Sequence, residues 1–123
     1  LKSQNAKIWM KFLLKFKFGF EGLIDGILHD FSIQLQFLMG FIAILIAAFF
    51  GFSDIEWSIW LLCIALVISM EYINSSIESI IDRFDPSWHI LTKQAKDLGS
   101  GAVLFSAILA AVIGMILVAR HLF

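Results

Sequence analysis

Uncharged runs separated by charged breaks divide the chain into four stretches. No charge occurs from Phe31 to Ser53, between Asp30 and Asp54. That run is long enough for a bilayer, which takes about 20 apolar residues. A second run starts at Trp57 and stays uncharged through Met70. It continues as Glu71-Tyr72-Ile73-Asn74-Ser75-Ser76-Ile77-Glu78-Ser79-Ile80-Ile81 with helical periodicity and without Pro or Gly. One helix is therefore predicted over about 57–82, polar in its second half. A third run, Leu98 to Ala119, ends at Arg120-His121. The predicted spans are about 31–53, 57–82 and 98–119.

The stretch before them, about 7–29, has a different pattern. At about 100° per residue, Lys7, Lys11 and Lys15 share one side. Trp9, Phe12, Phe16, Phe20, Leu23 and Ile27 share the other. A basic, aromatic-rich amphipathic helix of this kind lies in a membrane interface. Phe18 departs from the pattern, falling on the polar side with Lys11, Glu21, Gly22 and Asp25. A ring there has no lipid to enter: it is either incidental or able to stack on a planar ligand.

Composition narrows the class. Of 123 residues, 60% are hydrophobic and 15% charged, against about a quarter charged in soluble domains. That excludes disorder and a soluble globule. The lone cysteine, Cys63, excludes a disulfide scaffold. A net charge of −1 argues against nucleic acid as a partner. The expectation is a single all-α membrane domain over 1–123: a surface helix and three transmembrane helices. No cleavable signal peptide is read, because the basic N-terminus lacks an apolar stretch followed by a small-residue cleavage site.

Eight of the nine basic residues fall on one predicted side: Lys2, Lys7, Lys11, Lys15, Lys17, Arg83, Lys93 and Lys96, with Arg120 the exception. By the positive-inside rule the N-terminus and the 83–97 loop are cytoplasmic. The 54–56 turn and the C-terminus are then external. The third span carries small residues at Ala102, Ser106, Ala110 and Gly114, a spacing that lets helices approach closely in lipid. That ridge points to oligomerisation.

The chemistry concentrates in the second span. Glu71, Asn74, Ser75, Glu78 and Asp82 fall within roughly 100° of arc on one helix face. Glu71 lies about 14 residues, or roughly 21 Å, from Trp57, at or just inside the headgroup boundary. An ionisable group at that depth is a functional-site candidate. The stripe admits a hard divalent cation held by oxygen ligands, or a general base. The plain alternative is that Glu78 and Asp82 reach water and pair with Lys93 or Lys96. No His/Cys cluster supports zinc. Lys96-Asp97-Leu98-Gly99-Ser100-Gly101, at the mouth of the third span, reads as a phosphate-holding helix start or as a cap with Asp97 and an anchor with Lys96. Asp30 lies at the base of the first span on the same side. Together these parts fit transfer of a phosphoryl group from a soluble nucleotide to a lipid hydroxyl. A non-enzymatic cation-binding membrane assembly is the alternative of another class; it has no need of a phosphate-binding lysine beside the stripe.

Glu71-Tyr72-Ile73-Asn74-Ser75-Ser76-Ile77-Glu78-Ser79-Ile80-Ile81-Asp82, followed by Ala95-Lys96-Asp97-Leu98-Gly99-Ser100-Gly101-Ala102-Val103-Leu104, resembles the signature of the small prokaryotic diacylglycerol kinase and undecaprenol kinase family. The resemblance covers essentially the whole chain. It implies a homotrimeric, ATP- and Mg²⁺-dependent lipid kinase of the bacterial cytoplasmic membrane, with its site near the cytoplasmic surface. It implies Glu71 as catalytic base and Glu78 and Asp30 as metal-binding carboxylates. By the same resemblance Asn74, Lys96 and Asp97 belong to the nucleotide site, with Asp82 a further polar member. Phe18 and Gly22 match surface-helix positions near the adenosine. Lys11 stands where the family carries Arg, keeping the charge but losing the bidentate fork.

Two departures stand out. Asp30 replaces the family's usual Glu. The run Phe31-Ser32-Ile33-Gln34-Leu35-Gln36 lacks the basic residues that Gram-positive-type members carry there. Gly51-Phe52-Ser53-Asp54-Ile55-Glu56-Trp57 and Pro86-Ser87-Trp88-His89 nevertheless resemble that branch, whose members favour undecaprenol. Undecaprenol is therefore the expected acceptor and diacylglycerol the runner-up.

Overall fold

The computed structural model describes residues 2–85 and 89–123. Pro86-Ser87-Trp88, part of the branch resemblance, lies outside the described residues. Four helices follow in order: α1 (Lys2–His29), α2 (Phe31–Phe50), α3 (Asp54–Phe84) and α4 (Ile90–Leu122). No strand occurs among the described residues. Three helices, α2, α3 and α4, are long and apolar enough to cross a membrane. The chain is an all-α membrane protein.

Local chemistry sets the helix ends. Asp30 is the N-cap of α2, its Oδ1 accepting from the Ile33 amide at 3.1 Å, so one carboxylate satisfies a donor that no helix turn reaches. α2 stops at Gly51, whose φ of 68° lies in the left-handed region where glycine alone is unstrained. Ser53 and Glu56 then form a capping box: the Glu56 amide donates to Ser53 Oγ at 3.3 Å and the Ser53 amide to Glu56 Oε1 at 3.0 Å.

α4 begins at Ile90, eight residues before the uncharged run that marks the predicted span. Its N-cap is His89, which accepts from the Leu91 amide at 3.1 Å. Asp97 is thus not a cap, and Lys96-Asp97 is not a helix start; both lie about two turns inside α4. The physical reason is local. Ile90–Asp97 holds no helix breaker, and Lys93 and Asp97 pair at 2.5 Å across one turn, an i,i+4 contact that favours helix. Thr92 donates to Asp85, joining the start of α4 to the end of α3.

Packing is tightest between α3 and α4, with α2 against α3 next. A core of Ala47, Phe52, Trp60 and Leu117 closes the end that holds the α2–α3 turn. The Trp60 indole N–H donates to the Ala43 carbonyl at 2.8 Å. His121 joins Glu56 at 2.8 Å and stacks on Phe52, with centroids 5.1 Å apart. Trp60 also packs on Gly114, where a Cβ would stand 3.1 Å from the ring. Ser106 is buried as well. Two positions of the small-residue ridge are therefore covered within the chain. The polar residues gather at the opposite end, beyond the midpoint of α3.

Candidate active site

Glu71 and Asn74 are buried, each 7% exposed, which is unusual for polar groups on an apolar helix. Gln36 of α2 lies beside Glu71, and the carboxylates of Asp30 and Glu78 are near enough to act on it electrostatically. Asn74 Nδ2 donates to Glu78 Oε1 at 3.2 Å. Its amide oxygen is buried and has no hydrogen-bond partner among the described residues. That oxygen faces Gly99 of α4, where a Cβ would collide with it. Glycine at 99 is thus what allows α4 to close over Asn74.

Asn74 and Glu78 are joined on α3 next to Gly99 of α4, and Asp30 and Glu78 each lie within electrostatic reach of Glu71. Asp82 lies further out, where its Oδ1 accepts from Lys96 Nζ at 2.5 Å; the pairing expected of a solvated carboxylate is realised there. Asp97 is held by Lys93 rather than by the stripe. On the other flank, α1 and α3 enclose a groove of about 550 Å³ whose walls include Phe18, Gly22 and Asp30 on one side and Ser75, Ser76 and Ser79 on the other. A Cβ at Gly22 would meet no atom within 4 Å, so the wall there is open. Lys11 is not brought to this groove. It lies seven residues before Phe18, roughly 10 Å along α1 at 1.5 Å per residue.

Two residues escaped the sequence reading. Gln36 sits, with Gln34, inside a span otherwise read as apolar, and an amide there is itself a signal, because it needs a partner in lipid. Tyr72 falls beside the acidic stripe and carries no charge, so nothing in the periodicity singled it out. Its hydroxyl donates to the Leu23 carbonyl of α1 at 2.6 Å.

Among the described residues no three His, Cys, Asp or Glu side chains form a ready metal cage. The oxygen donors present still suit a hard cation. Asp30 and Glu78 each engage one oxygen in a recorded bond, leaving the other to bind. Mg²⁺ characteristically takes one or two carboxylates, with phosphates and water completing its shell.

A buried carboxylate on a helix long and apolar enough to cross a membrane, with a groove between α1 and α3 nearby, is the candidate site. Comparison with known proteins identifies the class. Residues 17–118 match the family described as prokaryotic diacylglycerol kinase, and the chain belongs to that family. It is 29% identical over 104 residues to the diacylglycerol kinase of Escherichia coli strain K12, covering 85% of each chain. It is 38% identical over 76 residues to the undecaprenol kinase of Bacillus subtilis, covering 61% of this chain and 62% of that one. The diacylglycerol kinase of Synechocystis matches over 115 residues at 29% identity, covering 93% of this chain and 66% of the relative. The chain is a lipid-alcohol phosphotransferase.

Proposed function

We propose that the protein transfers the γ-phosphoryl group of Mg·ATP to the hydroxyl of undecaprenol, from the cytoplasmic face of a bacterial membrane. The observation that carries this reading is the burial of Glu71 on α3, beside Gln36 and within electrostatic reach of Asp30 and Glu78. In the reaction the lipid oxygen bonds to the γ-phosphorus, and its proton passes to the Glu71 carboxylate. The bond from the γ-phosphorus to the β–γ bridging oxygen breaks, and its electron pair leaves with ADP. Asp30 and Glu78 are the residues that would hold Mg²⁺, which offsets phosphate charge when bound. Asn74, Lys96, Asp82 and Asp97 serve the nucleotide, with Phe18 and Gly22 on the adenosine side and Lys11 contributing charge. Most of the catalysis is positioning and electrostatics.

The 38% identity to an undecaprenol kinase supports the acceptor. Diacylglycerol is the competing acceptor, favoured by the 85% coverage of a diacylglycerol kinase. Purified protein with Mg·ATP and each alcohol in matched mixed micelles decides between them. Undecaprenol should give the higher kcat/KM, and the reverse order would transfer the assignment to diacylglycerol.

The same reading includes an interfacial α1 and a homotrimer. A groove of about 790 Å³ along α2, α3 and α4 supports assembly. It is lined in part by Ala107, Ala110 and Ala111 of α4, small residues against which another helix packs closely in lipid.

A further inference from the structure

Tyr72 ties the two walls of the α1–α3 groove together. It follows Glu71 and turns about 100° round α3 from it, toward α1. Its hydroxyl donates to the Leu23 carbonyl at 2.6 Å, the one hydrogen bond among the described residues that joins α1 to α3. Its ring occupies a recess at Gly26, which is buried and where a Cβ would collide with both Tyr72 and Ile33. Phe37 of α2 meets the ring edge-on, 6.4 Å between centroids at 83°. Elsewhere α1 packs mainly on α2. The phenol therefore fixes how far α1 stands from the helix that carries the carboxylates.

We propose that Tyr72 is a positioning residue for nucleotide binding: by holding Leu23 and seating against Gly26, it sets the placement of Phe18 relative to Glu71. The inference rests on the reading of this groove as the adenosine side. A carbonyl inside a helix already accepts from the amide one turn on, so α1 does not need the phenol to stay helical. What the hydroxyl adds is a fixed separation between two helices. Leu23 lies five residues beyond Phe18 on α1, and Ser75 and Ser79 lie one and two turns beyond Tyr72 on the facing wall. A shift of α1 at Leu23 consequently moves the ring of Phe18 against a wall that stays in place.

The test uses the full chain in mixed micelles. Tyr72→Phe keeps the ring in the Gly26 recess and removes only the hydroxyl. The KM for ATP should rise about three- to tenfold, the range of one neutral hydrogen bond. The kcat, the KM for the lipid and the melting temperature should hardly move. In a Phe18→Ala background the same substitution should change the ATP KM by less than about twofold, since the group it places is gone. Three results overturn the proposal: an unchanged ATP KM in Tyr72→Phe, effects of the two substitutions that simply multiply, or a lowered melting temperature without a KM change, which is the behaviour of a packing residue. If Phe18→Ala raises the ATP KM while Tyr72→Phe is silent, the groove reading stands and the positioning inference alone fails. If both are silent, both fail.

Discussion

Glu71 and Glu78 lie two turns apart on α3 and are held differently. Glu71 is buried beside Gln36 of another helix; Glu78 is not buried and takes its bond from Asn74 on its own helix. The difference is the ground for testing their proposed roles separately. Glu71→Gln keeps the shape and removes the proposed proton acceptor, so transfer should fall by orders of magnitude while Mg·ATP affinity stays within a few-fold of normal. If nucleotide binding is lost as well, Glu71 is not the base. Glu78→Gln removes charge that a hard cation needs. The Mg²⁺ concentration for half-maximal activity should rise at least tenfold, and a normal Mg²⁺ dependence would remove Glu78 from the metal. Gly99 is the third residue to test. Gly99→Ala drives a methyl into the Asn74 amide oxygen, and overpacking of this kind costs about 1–3 kcal/mol. The melting temperature should fall. Adding Asn74→Ala relieves the clash and should restore stability without restoring activity, because the amide that supports Glu78 is gone. Stability that stays low in the double variant would place the strain elsewhere.

At the scale of helices, the two ends of the bundle do different work. The end with the α2–α3 turn is fastened by the Ser53–Glu56 capping box, the Glu56–His121 pair, and Trp60 on Ala43 and Gly114. None of these groups lines the α1–α3 groove. Glu56→Ala loses the box and the pair together, and capping interactions alone are worth about 0.5–2 kcal/mol. Its melting temperature should fall while the ATP KM of the folded enzyme is unchanged; a raised KM would show that the far end is coupled to the site. The helices themselves were largely legible in the sequence. Apolar runs bounded by Asp30, Asp54 and Arg120 mark α2, α3 and α4 because lipid demands them. The burial of Glu71 and Asn74 was legible for the same reason, whereas Asp82 at the outer end of the stripe takes the plain pairing with Lys96. The first two turns of α4 were not: Lys93, Lys96 and Asp97 read as loop charges, whereas in the structure they pair along and across helices. Tyr72 and Gly26 were not legible either, because a phenol fitting a glycine recess on a helix 46 residues away leaves no periodic trace.

For the whole molecule, length decides which groups stand clear of the hydrocarbon. α3 has 31 residues and α4 has 33. At 1.5 Å per residue each is roughly 45–50 Å long, against a hydrocarbon core of about 30 Å. Both therefore project from the bilayer, and their charged turns, with Asp82, Lys93, Lys96 and Asp97, do so together at the site end. That end also carries Arg83 and follows the lysines of α1, and the proposed cytoplasmic placement rests on the positive-inside rule. A kinase needs this orientation, because its nucleotide is cytoplasmic while its acceptor stays in the membrane. The assignment is open to direct measurement. Cys63 is the only cysteine in the chain, and Cys63→Ser gives a background free of thiols. Asp54 at the turn and Lys93 on the first turns of α4 are both exposed, so a cysteine at either position should be reachable from its own side. On intact cells a membrane-impermeant maleimide should label the Asp54→Cys variant and leave the Lys93→Cys variant unlabelled. Permeabilised cells should label both. Labelling of Lys93→Cys on intact cells would put the carboxylate site on the outer face, away from ATP, and would overturn the assigned orientation together with the proposed donor.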